Sequence, residues 1–195
     1  MNIGGCKDQI NVLALEKTGD TYAWVSVRDT WAKAEKQNKA NLFSKVGIGV
    51  QSVLFTLRKQ DLTLHNAFCW AGEHCFLTDI KEIDRMYYEV MAALIEPIEC
   101  RYTHVTTTTD DLNNPVLGGE TAVVFPGCVV EKYLGARQEQ PQAVSEVTLV
   151  LVTPKIIELE AGSVVEVSGQ EYEVMVGHVL DEYKNEYEIT VKRDV

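Results

Sequence analysis

The sequence predicts an all-β protein built from two tandem small antiparallel β-barrels or sandwiches, with a short helix or long loop in the first. Three observations predict it. Short apolar runs with period-two alternation recur along the 195 residues, as half-buried strands require. Gly, Asp, Asn and Pro punctuate them at short intervals. The chain also repeats itself. Trp70-Ala71-Gly72-Glu73-His74-Cys75-Phe76-Leu77, a charged turn at Asp84-Arg85 and Tyr88-Glu89-Val90 have a counterpart. It reads Val167-Ser168-Gly169-Gln170-Glu171-Tyr172-Glu173-Val174, a charged turn at Asp181-Glu182, then Tyr187-Glu188-Ile189. A period near half the chain length means two similar domains rather than a solenoid. The expected domains are 1–100 and 101–195, with the boundary falling at 97–104.

Taken in order, Ile10 to Leu15 is a strand followed by a turn at Thr18-Gly19-Asp20. Tyr22 to Trp31 follows, with Val25, Val27 and Trp31 sharing one face. From Lys33 to Ser44 alternation stops and helix formers dominate, giving a short helix or a polar excursion. Val50 to Lys59 alternates again, with Val53, Phe55 and Leu57 inward and Ser52, Thr56 and Arg58 outward. The Gly72 turn leads to strands from His74 to Ile80 and from Met86 to Ile95. Thr106 to Thr109 opens the second unit as a strand, and Asp110 to Pro115 with Gly118-Gly119 forms a loop. Thr121 to Tyr133 reads as a strand kinked or bulged at Pro126-Gly127. Gly135 to Gln142 is a polar loop in the place of the first excursion. Val144 to Val152, Val164 to Val167, Tyr172 to Val176 and Glu186 to Lys192 complete the set, the last with Tyr187, Ile189 and Val191 on one face.

Composition narrows the function. A hydrophobic fraction of 46% is that of a folded globular chain, not a disordered one. No apolar run approaches the ~20 residues of a membrane span, and the N-terminus lacks the basic and apolar regions of a signal peptide. These features predict a protein made and kept in the cytoplasm, off the membrane. Five irregularly spaced cysteines without a Cys-x-x-Cys pair agree with that compartment. Cys69, His74 and Cys75 are the nearest approach to a metal set. A structural zinc needs a second close pair that the sequence lacks, so buried small hydrophobes are the expectation. The net charge of −11 divides as −2 over residues 1–100 (11 basic, 13 acidic) and −9 over 101–195 (7 basic, 16 acidic). So acidic a second half argues against tight general nucleic-acid binding.

Catalytic signatures are missing: there is no Gly-x-Ser-x-Gly elbow, no phosphate-binding loop and no His-Glu-x-x-His. Gly47-Ile48-Gly49 precedes a strand and reads as a turn. The four histidines (His65, His74, His104, His178) are scattered. The pairs Glu171/Glu173 and Glu186/Glu188 fall on solvated strand faces. No catalytic residue, cofactor or metal is therefore expected. One charge cluster stands out: Lys33, Lys36, Lys39 and Lys45, with Glu35 alone opposing. It is either a solvated face or a protruding element that docks on an acidic surface or approaches DNA backbone.

The first half resembles the head–tail joining (head-completion or stopper) proteins of tailed bacteriophages. The resemblance rests on the order of an opening strand and turn (Ile10 to Asp20), Thr30-Trp31-Ala32, the excursion Lys33 to Gly49, Phe55-Thr56-Leu57-Arg58, the turn and strand Gly72 to Ile80, and the closing strand Tyr87 to Leu94. The second half is similar through Gly162-Ser163-Val164, Gly169 to Val176 and Tyr187 to Val191. It departs at Phe125-Pro126-Gly127, where Trp-Ala is missing, and at Thr153-Pro154, where Arg is missing. The resemblance implies a non-enzymatic virion protein of the phage neck, assembled in the host cytoplasm as a ring of six or twelve copies. Its expected neighbours are portal or adaptor on one side and tail or tail terminator on the other, with packaged DNA passing through. The alternatives are a tail terminator or other minor tail or capsid protein and, from another class, a cytoplasmic β-barrel ligand-binding protein or enzyme.

Overall fold

The computed structural model describes residues 5–37, 51–109, 115–132, 148–179 and 181–192, and among them there is no α-helix. The first half contributes β1 (Asp8–Thr18), β2 (Thr21–Lys36), β3 (Ser52–Arg58), β4 (Asn66–Trp70), β5 (Glu73–Ile83) and β6 (Tyr87–Ile95). The second contributes β7 (Ile98–Thr109), β8 (Pro115–Lys132), β9 (Thr148–Pro154), β10 (Val164–Val167), β11 (Gln170–His178) and β12 (Lys184–Val191). Six strands run β1-β4-β5-β6-β3-β2, and β2 pairs back to β1. The other six run β8-β7-β10-β11-β12-β9, and β9 pairs back to β8. Each half is thus a closed barrel, and taken in chain order the two have the same strand connectivity. Closure leaves neither sheet with a free edge. One parallel bridge, Thr21 to Val124, joins them into a single mixed sheet of twelve strands.

Local chemistry repeats with the topology. Two-residue turns join β4 to β5 and β10 to β11, with positive φ at both central residues: Ala71 (52°) and Gly72 (83°), then Ser168 (51°) and Gly169 (81°). That is the type I′ geometry, whose twist matches the flanking strands. Each barrel then has a bulge at the corresponding place, between Leu77 and Asp79 and between Val174 and Val176. Counted from these bulges, Val90 corresponds to Tyr187 and Ala92 to Ile189. The sequence repeat had paired Val90 with Ile189, two residues away. Period-two patterning is unchanged by a shift of two, so text similarity cannot choose between these registers.

The first core gathers Ile10, Val12, Val53, Phe55, Phe68 and Leu77. The second gathers Cys100, Phe125, Leu151, Val174, Tyr187 and Ile189. The connection after β9 crosses the end of the second barrel and is clamped from β12. Asn185 Nδ2 donates to the Lys155 and Ile157 carbonyls at 3.0 and 2.8 Å. The Tyr187 hydroxyl donates to Ile157 O at 2.9 Å and accepts from Leu159 N at 3.0 Å. Ile157 O keeps the Asn185 bond if the hydroxyl is removed, whereas Leu159 N loses the acceptor it has among the described residues. Tyr187→Phe is therefore expected to cost about 1–3 kcal/mol in chemical denaturation, the penalty for one buried orphan donor.

Several sequence expectations are corrected. Lys33 to Lys36 continue strand β2, because Ala32 to Lys36 pair with Leu57 to Val53 of β3. Val25, Val27 and Trp31 do not share a face. Val12 pairs with Arg28 but Leu13 with Ser26, so Val27 is an extra bulged residue and Val25 turns to the side of Val12 and Ala14. Ser52 and Thr56 point outward yet are buried. Gly118-Gly119 lie within β8 rather than in a loop. The β7 ladder runs through Pro126 to Gly127 without a shift, and β8 changes partner from β7 to β9 there. Beta-4 was not foreseen as a strand of its own. Residues 39–49, 110–114 and 135–142, with the turns and loops expected there, lie outside the described residues.

Candidate interaction surface

Of the four lysines in the predicted cluster, Lys39 and Lys45 lie outside the described residues. Lys33 and Lys36 are on β2, where a spacing of three places side chains on opposite faces. Lys33 faces outward and pairs with Glu35 at 2.7 Å. Lys36 lies over the Trp70 ring, 5.5 Å from its centroid, and 3.7 Å from Glu73. The structure thus separates the two, and each has an acidic neighbour. Pairs this exposed contribute little to stability, so both remain available to a partner.

The extensive apolar surface outside the two cores lies between the barrels. Ala67, Phe76 and Ala93 are cross-strand neighbours on the outer wall of the first barrel, and all are buried. Phe76 and Ala93 cluster with Cys128, Val150 and Val152 from the outer wall of the second, and Trp24, Val130 and Tyr183 pack around them. The Phe76 and Tyr183 rings are 6.3 Å apart. At one side the tip of the β1–β2 hairpin reaches over: Val124 N donates to Asp20 O at 2.9 Å, and Tyr22 packs against the second core. Beside this contact Lys184 is buried on the outer wall of β12, ion-paired with Glu186 and, at 2.9 Å, with Asp181. Burial pushes the Tyr183 hydroxyl up to about 12, with Asp181, Glu186 and Asp79 adding to the shift. Sequence alternation gave no sign of this contact, because an outward Phe or Cys on one strand looks like noise until the opposite wall is known.

Three features bear on chemistry. A cleft of about 710 Å³ opens at the end of the second barrel, lined by Tyr102, His104, Phe125, Lys155, Leu159 and Glu160 among others. Its amine is engaged, Lys155 Nζ donating to Val179 O at 2.7 Å and Asn185 Oδ1 at 3.2 Å. Among the described residues its histidine meets the Tyr102 hydroxyl, at 3.4 Å. A second groove holds Asn11, Cys69, Glu73 and His74 side by side. Cys69 and His74 are cross-strand neighbours there, yet no hydrogen bond joins them. Among the described residues no three His, Cys, Asp or Glu side chains gather as a metal site. Cys75, Cys100 and Cys128 are buried, and desolvation pushes each thiol up to about 12, leaving them unreactive.

His74 itself gives a pH prediction. Its ring lies 5.4 Å from Trp24, its Nε2 has no hydrogen-bond partner among the described residues, and burial lowers its pKa to about 4. An unfolded histidine titrates near 6.5. Between those values the unfolded chain binds more protons, so stability rises with pH through that window and is lost as pH falls through it. Urea titrations at pH 7 and pH 4 are expected to differ by on the order of 2 kcal/mol from this residue. His74→Phe should remove that part of the difference. No family model matches this chain, and no curated protein matches it.

Proposed function

We propose that the chain is a structural subunit of the tailed-phage neck, a head-completion or stopper protein that forms a ring between portal or adaptor and tail. The single observation that carries the reading is two closed barrels of one connectivity in one chain. The connections between the second and third strands of each barrel, 38–50 and 133–147, differ in sequence and lie outside the described residues. A duplicated scaffold with variable connections suits a subunit that meets two different neighbours. Trp31-Ala32 and Phe55 to Arg58, which carry the resemblance, lie on the paired strands β2 and β3.

The direct test is deletion of the gene from its phage. The expected phenotype is DNA-leaking heads without tails beside free tails, restored when purified protein is added to the heads. Normal virions from the deletion would refute the reading. The cleft at the end of the second barrel favours a second reading, ligand binding. A small molecule retained through purification, and lost on Tyr102→Ala, would support that reading instead.

A further inference from the structure

We infer that the contact between the two barrels within one chain is repeated between chains, with the second barrel of one copy seated on the first barrel of the next. The inference rests on the reading of the protein as an assembling subunit and specifies which surfaces meet. Within the chain the contact is heterologous. One barrel offers the outer face of its fourth, fifth and sixth strands, and the other offers the outer face of its second and third. Because both barrels have the same connectivity, each chain presents the unused copy of both faces. A contact of this kind propagates, closing into a ring when its rotation permits.

The correspondence fixes the residues. The ladder Ala67–Phe76–Ala93 becomes Val164–Glu173–Thr190 on the second barrel. The receiving ladder Cys128–Val152–Glu186 becomes Lys33–Thr56–Glu89 on the first. Val130–Val150 becomes Glu35–Leu54. Tyr183, just before β12, becomes Met86, just before β6. Phe76 packs among Cys128, Val150, Val152 and Tyr183, so Glu173 of one copy is aimed at Lys33, Leu54, Thr56 and Met86 of the next. The apolar contact is replaced by a polar one, in which Lys33 is the cation that faces Glu173, beside exposed Met86 and the acidic Glu35 and Glu89 of the same wall. The same correspondence accounts for Trp31, which is 57% exposed. Its counterpart Pro126 is partly buried and lines one groove with Thr21 to Trp24 of β2. In the assembly Trp31 faces the paired strands β7 and β8 of the neighbouring copy.

The more polar character of the repeated contact makes it weaker than the internal one, so free chains stay soluble until concentrated. A ring of such chains holds twice as many barrels as chains. The test is charge exchange, read as mass by light scattering over a concentration series. Lys33→Glu and Glu173→Lys are each expected to weaken association by about tenfold or more, the effect of placing like charges in a contact. The double variant, or a mixture of the two singles, should recover it. Trp31→Ala should weaken it by about tenfold, as loss of an interface aromatic does. All these side chains are exposed, and thermal melts will show that the variants fold. Wild-type oligomers that ignore these changes overturn the inference and leave the neck reading standing. A wild type that remains monomeric at all concentrations also overturns it. Oligomers that obey the exchange but never add to tail-less heads would uphold it and defeat the neck reading.

Discussion

Phe55→Ala is expected to destabilise the protein by about 3–5 kcal/mol, the range for truncating a fully buried aromatic. Phe55 is completely buried at the centre of the first barrel. It meets Phe68 edge-on at 5.4 Å and Trp70 edge-on at 5.7 Å, so the change removes two favourable ring contacts along with the buried area. Its backbone is held on both sides, by Ala34 of β2 and Val90 of β6, so the walls cannot close over the void. All three tryptophans (Trp24, Trp31, Trp70) belong to the first half, while far-UV circular dichroism reports strands of both. Because the barrels share a buried wall, the variant's fluorescence and dichroism transitions should move to lower urea together. A fluorescence shift that leaves the dichroism of the second half in place would mean that the two barrels unfold independently.

The parts of this fold that follow from nearest-neighbour chemistry were legible in the sequence. Alternation located the inward residues Val53, Phe55 and Leu57 correctly, and Gly72 and Gly169 marked two turns that only positive φ allows. The all-β class followed from these. What failed depends on residues distant in sequence. Lys33 to Lys36 have good helix propensity, but pairing with β3 outweighs it, as tertiary context commonly does. The bulge at Val27 exists because the two sides of a closing hairpin differ by one residue, which neither strand shows alone. Gly127 reads as part of a kink or bulge beside proline. Its role is close approach, since a Cβ there would stand 2.9 Å from Leu151 Cδ1 and 3.1 Å from Cys100 Sγ. Ala32 occupies the matching position in the first barrel, so a small residue recurs where the second strand changes partner. Lys33 and Lys36 fall on opposite faces, because a spacing of three unites side chains on a helix and divides them on a strand.

Phe76→Glu is expected to cost about 3–5 kcal/mol, the range for a buried charge without a partner. It places at the internal contact the residue that the second barrel carries in the same position, Glu173. Inside the chain that side chain would face Cys128, Val150, Val152 and Tyr183, none of which is cationic, and Lys184 beside them is already paired with Glu186 and Asp181. Asp79, close enough to raise the Tyr183 hydroxyl, adds repulsion. Desolvation and Asp79 both raise the introduced carboxyl above the ordinary glutamate value near 4.3. With a folded pKa above the unfolded one, the penalty is absent below the unfolded value and grows as pH rises through the folded one. Denaturation at pH 4.5 and at pH 7.5 should therefore separate the variant from wild type far more at the higher pH. Phe76→Leu, which keeps an apolar group at the contact, should show a smaller loss with no such dependence. The glutamate variant should also split the coupled transition, with tryptophan fluorescence and dichroism no longer coincident, because the two cores are untouched and only the wall between them is opened. A single coincident transition that merely shifts would mean that the Thr21–Val124 bridge and the Tyr22 contact hold the barrels together without Phe76.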